Sequence, residues 1–125
     1  MIFSERLIEL ADRFRAGGVP WEPGPGQYVL DRNDVVERES PFQPGVYFIL
    51  NYPHFLKLAG GLESFRSQML WLPTWDQARE VPRQAGFSDD QQQTRLIECD
   101  AIAGGCELEC LYEWIAECYP KKSGT

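Results

Sequence analysis

Cys106, Cys110, Trp114 and Cys118 stand at successive steps of four residues, which on a helix puts three thiols on a single row. Thiolates bind zinc and iron–sulfur clusters. One helix cannot arrange three thiols tetrahedrally about one ion, however, and the usual Cys-x-x-Cys knuckle is missing, with Cys99 the only other cysteine. The row therefore reads as small buried hydrophobes, or as a face that meets a neighbour, and no metal or cofactor is expected. His54 is the single histidine, and Tyr52, Pro53 and Phe55 around it supply neither a nucleophile nor an orienting carboxylate. Among 19 acidic residues no two are singled out for acid–base work. Gly24-x-Gly26 lacks the third glycine and the following helix of a dinucleotide loop, and no Gly-Lys-Ser/Thr occurs. Asp31, Asn33 and Asp34 do not follow the calcium-loop spacing and read as a solvated turn. No catalytic grouping is expected.

The elements that would position these residues are organised around Gln68 to Gln77. Met69 to Leu72 is an apolar run of strand length, stopped by Pro73. Thr74 and Gln77 form the Thr-x-x-Gln pattern of a capping box, and Asp76 charges the first turn. The expectation is strand, abrupt turn, helix, with Trp71 and Trp75 anchoring the junction in the core.

The run Trp71-Leu72-Pro73-Thr74-Trp75-Asp76-Gln77 resembles the W-L-P-x-x-D-Q motif of small phage and prophage proteins. Glu109 to Ala116, followed by Lys121-Lys122, is similar in pattern to the segment near the end of those chains. The resemblance implies a phage or prophage setting and brings no mechanism with it.

The other segments read as follows. Phe3, Leu7, Leu10, Ala11 and Phe14 form the stripe of a first helix capped by Ser4 and ended by Gly17-Gly18. Val19 to Glu22 and Gln27 to Asp31, on either side of Pro23-Gly24-Pro25-Gly26, predict a hairpin carrying Trp21 and Tyr28. Gly45 to Leu50 is the strongest strand, and its near-continuous apolarity predicts a central place covered on both faces. Asn51 or Tyr52 caps a short helix ended by Gly60-Gly61. The helix from Trp75 should end or kink near Val81, before Pro82. Ser88 and Gln91 give a second capping box, opening a helix over 92–103 in which 94–99 reads alternatively as an edge strand. The last helix, Glu107 to Tyr119, has Leu108, Leu111, Tyr112, Ile115 and Tyr119 on its apolar side.

With 125 residues, 43% apolar and 13% aromatic, one globular domain over 1–120 is expected, with a frayed tail at 121–125. The fold class is α+β, a small mixed or antiparallel sheet including 45–50 and 68–72 packed against the first and last helices. A net charge of −7 disfavours direct nucleic-acid or membrane binding; it reads as solubility, with an acidic surface that meets a basic partner as the alternative. No apolar run is long enough to span a membrane and no signal-peptide pattern opens the chain, so the cytoplasm is the expected location. The function expected is a non-enzymatic protein-binding accessory factor. Its contact face would be the side of the last helix that carries Glu109, Glu113, Trp114 and Glu117. The alternatives are a homodimer joined through the cysteine and tryptophan row, an acidic mimic of nucleic acid, and a small enzyme using His54 or carboxylates.

Overall fold

The computed structural model describes residues 3–36, 40, 43–98 and 106–119. Among them are six helices and a three-stranded antiparallel sheet, so the class is α+β. The helices are α1 (Glu5–Gly17), α2 (Tyr52–Ala59), α3 (Leu62–Gln68), α4 (Trp75–Gln84), α5 (Asp89–Glu98) and α6 (Glu107–Cys118). The strands are β1 (Tyr28–Asp31), β2 (Val46–Phe48) and β3 (Met69–Leu72). Two compact units share the chain: Met1–Ser4 with Trp21–Leu72, and Glu5–Pro20 with Pro73–Thr125. No helix among the described residues is long and apolar enough to cross a membrane. Cys99, the last part of the 92–103 segment and the 121–125 tail lie outside the described residues.

The first unit holds the sheet, in the order β2-β1-β3, with α2 and α3. Val29 lies opposite Tyr47 on one side and Trp71 on the other. The strand at 46–48 is therefore an edge and β1 is the centre, which corrects the expectation for 45–50. Apolarity reports burial of side chains and says nothing of how many ladder neighbours a strand has. Val46 and Ile49 are buried, whereas Leu50 is 78% exposed. The outer edge of β2 is engaged at Val46 by its own chain. Val46 donates its N–H to Gln43 O at 2.9 Å, and the Ser40 hydroxyl donates to Val46 O. This engagement blunts a sheet edge that would otherwise template pairing.

The predicted hairpin is also corrected. Residues 19–22 are not a strand, because Pro20 has no N–H to give and the Val19 N–H is spent on Phe14 O at the end of α1. One side chain does the work of a ladder instead. Gln27 Oε1 accepts from Trp21 Nε1 at 2.8 Å and from the Gly24 N–H at 3.3 Å, and its Nε2 donates to Glu22 O at 2.9 Å. Asp31, expected in a solvated turn, is buried at the end of β1, where it accepts the N–H groups of Asn33 and Val36 at 3.1 and 2.7 Å. Phe65 centres the core with Val29, Ile49, Ala59 and Met69. It comes from α3, a helix that propensity and spacing did not announce. α2 matches expectation: Asn51 Oδ1 accepts from the His54 N–H, and Gly60, at φ 87°, takes the left-handed conformation that ends the helix.

Among the described residues the second unit holds four helices, with α6 touching α1, α4 and α5. Leu7, Leu10, Ala11 and Phe14 of α1 are buried as the stripe predicts. α1 closes with paired bonds, Val19 N–H to Phe14 O at 3.0 Å and Gly18 N–H to Arg15 O at 3.3 Å, with Gly18 at φ 74°. α4 begins at the Thr74–Gln77 capping box, where the Thr74 N–H donates to Gln77 Oε1 at 3.1 Å. It then passes through Pro82 and ends at Gln84, not at Val81. Pro82 has no N–H to give to the helix, and the turn that follows is closed by backbone bonds. Phe87 N–H donates to Pro82 O at 2.9 Å and Gly86 N–H to Arg83 O at 3.0 Å. Trp71 and Trp75 are each only partly buried. Trp71 belongs to the first unit and stacks on Trp21, centroids 6.2 Å apart and planes within 4°. Trp75 packs on Leu96 and Cys110, with the Arg79 guanidinium 5.7 Å from its ring.

Tyr112 is fully buried in α6; its ring meets Phe14 at 4.9 Å and its hydroxyl donates to Pro73 O. Burial pushes that hydroxyl's pKa well above the usual value. Tyr112→Phe leaves a buried carbonyl unpaired and is expected to cost about 1–3 kcal/mol in urea unfolding at neutral pH. Because the folded chain holds the phenolic proton longer than the unfolded chain, this group's contribution is complete below about pH 10 and is lost as pH rises beyond. The gap between wild type and variant should therefore narrow in alkali.

Candidate protein-binding groove

The corner between α4 and α5 is set by backbone chemistry. The closing bonds of α4 place Phe87 one residue before Ser88, which caps α5. The Ser88 N–H donates to Gln91 Oε1 at 2.7 Å, and the Gln91 N–H donates to Ser88 Oγ at 3.2 Å. This capping box is the one the sequence predicts. It settles 89–98 as helix and not edge strand. Arg83 reaches across the corner to Asp89 at 2.6 Å and holds that carboxyl below its ordinary range. Gln92 and Leu96 face inward. Gln92, fully buried, pairs with Arg79 by accepting from Nε at 3.3 Å and donating to its carbonyl at 3.2 Å.

Asp90, Gln91, Thr94, Arg95 and Glu98 of α5 line an open groove of about 350 Å³ together with Phe87 and with Trp114 of α6. Its floor is aromatic: the Phe87 and Trp114 rings meet edge to face at 5.1 Å. Its α5 wall carries Asp90, Thr94, Arg95 and Glu98. Arg95 is fixed by Glu117 of α6, Nη2 to Oε2 at 2.7 Å. Its Nε is buried with no acceptor among the described residues. Asp90 and Glu98 are exposed and enter no ion pair among the described residues.

The four residues expected to form a contact face do not share one environment. Trp114 is only 8% exposed and serves as groove floor, not as a projecting anchor. Glu117 reaches the groove through Arg95. Glu113 turns the other way and accepts from Arg6 of α1 at 3.2 Å. Glu109 is partly buried. The acidic row has no lysine within its own helix, but arginines from α1 and α5 answer two of its three members. Within the cysteine row, Cys110 is buried, Cys106 is exposed before α6, and Cys118 is partly buried, its thiol pushed up first by burial and then by Glu117. No group of three His, Cys, Asp or Glu among the described residues could hold a metal ion. His54 is exposed in the first turn of α2, in the other unit. Phe87, Asp90, Thr94, Arg95 and Glu98 were not read as a site. The signal was present, since Asp90, Thr94 and Glu98 recur every four residues on the side of α5 away from Gln92 and Leu96.

Comparison of the chain with protein-family models, curated proteins and solved structures finds no match.

Proposed function

We propose that this protein is a non-enzymatic binding module that holds another protein in the groove between α5 and α6. The observation that carries the reading is the composition of that groove. A packed aromatic pair is flanked by an arginine already neutralised by Glu117 and by two carboxylates, Asp90 and Glu98, that enter no ion pair among the described residues. Concave sites with an apolar floor and a few placed polar groups are where recognition concentrates. The motif at Trp71 to Gln77 adds a setting, a cytoplasmic phage or prophage accessory factor acting on a host protein.

Thr94 is exposed on the groove wall, so a large side chain there fills the groove without entering the core. Affinity capture from a lysate of the source or host cell should recover a partner with wild type and lose it with Thr94→Trp, at unchanged melting temperature. Equal capture by both proteins would move the binding surface elsewhere.

A further inference from the structure

We infer that the occupant of this groove is a basic amphipathic helix of the partner protein, with Lys or Arg at positions i and i+7 or i+8 and one aliphatic side chain at i+4. The inference rests on the groove being the binding surface, and three observations lead to it.

The first is charge. Asp90 and Glu98 are exposed and unpaired among the described residues, and Arg95 is already matched by Glu117. The rim is therefore net negative, on a chain of net charge −7. An acidic segment or a nucleic acid would meet repulsion, and a basic one would be steered in.

The second is spacing. Asp90 and Glu98 stand two turns apart on α5, so their Cα atoms are separated by about 12 Å along the helix axis. Phe87 and Trp114 form the floor of the same groove. A helix lying along α5 with cations two turns apart matches both carboxylates, and an aliphatic residue on the same face between them meets a groove that Phe87 and Trp114 also line.

The third is the backbone. Both walls are helices, whose N–H and C=O groups bond internally, so the groove offers no free strand edge. An extended peptide would enter with its own donors and acceptors unanswered, whereas a helix brings them already paired. Helix-in-groove binding is the mode these walls permit.

The probe is a synthetic peptide of about eighteen residues, Ala- and Gln-rich for helicity, with two arginines seven apart and a leucine between them. Its control carries glutamate in place of both arginines. By isothermal titration the basic peptide should bind wild type, the acidic one should not, and affinity should fall with added salt. Asp90→Lys with Glu98→Lys changes two exposed side chains, so melting should be unaffected while Kd rises roughly tenfold or more. Equal binding of the two peptides, no binding of either, or undiminished binding by the double variant would overturn the inference. The two readings fail separately. If Thr94→Trp abolishes lysate capture and the basic peptide neither binds nor competes, the groove stands and its basic helix falls. If the peptide binds through Asp90 and Glu98 while Thr94→Trp leaves lysate capture intact, the groove's selectivity for a basic helix stands, but the captured partner binds elsewhere and the assignment of that helix to it falls.

Discussion

Gly17→Ala is expected to lower the melting temperature by about 10–15 °C, although it adds a single methyl group to an exposed-looking helix end. Gly17 is buried where α1 meets the end of α6, and a Cβ built on it would lie 2.0 Å from the Tyr119 carbonyl oxygen and 2.8 Å from its carbon. The obstacle is backbone, which has no rotamer to yield, so the two helices must part. Parting them strains the Phe14–Tyr112 contact and the burial of Leu10, Leu111 and Ile115. Over-packing of this kind costs about 3 kcal/mol, at the upper end of its usual range. Alanine's better helix propensity, worth at most about 1 kcal/mol within a helix, offsets only part at a terminal residue. Gly24→Ala is the control. No atom lies within 4 Å of its would-be Cβ, so its melt should superimpose on wild type. Circular dichroism melts of the three proteins decide the matter, and equal loss at both glycines would refute the packing argument.

Phe65→Ala should cost about 3–5 kcal/mol, the range for emptying a buried aromatic site. Phe65 has no exposed surface and is ringed by Trp21, Tyr52 and Phe55, with centroids at 5.8, 6.1 and 6.5 Å. Three rings set edge-on or tilted about one cannot collapse into the space it leaves, since their own backbones are fixed by α2 and by the Gln27 bonds. Against a total stability of about 5–15 kcal/mol, this one substitution brings the protein near its unfolding threshold. Leu62→Ala, three residues away on the same helix and 43% exposed, should shift stability by no more than about 0.5 kcal/mol. Urea titrations followed by tryptophan fluorescence measure both.

What the sequence makes legible is mostly local. Both capping boxes, at Thr74–Gln77 and Ser88–Gln91, form where their spacing predicts, because cap chemistry involves residues three apart. The glycine stop of α1 and the stripe of α6 are local in the same sense. The errors come from partners far along the chain. Whether 46–48 is an edge depends on β1 pairing with β3, and no property of Gly45 to Leu50 encodes that. The Trp21 segment is held by an amide side chain from Gln27 in place of a ladder, a substitution that strand propensity does not register. The arginines that answer two glutamates of α6, Arg6 and Arg95, arrive from other helices, so the sequence of α6 alone does not show them. The groove was missed for a related reason. Its residues are spread over Phe87, one row of α5 and Trp114, so no single window of sequence contains it.

The pairing of α1 with α6 has a consequence for how the chain is made. Arg6 and Glu113 are 107 residues apart, so α1 leaves the ribosome well before α6, the helix it packs against, is made. At elongation rates of about 5–20 residues per second, the apolar stripe of α1 waits roughly 5–20 s before α6 is synthesised. Throughout that interval Leu7, Leu10 and Phe14 are a ready target for chaperones or for neighbouring nascent chains. Yield in a cell should therefore respond to translation speed and to crowding on the message, even in variants whose purified stability is unchanged.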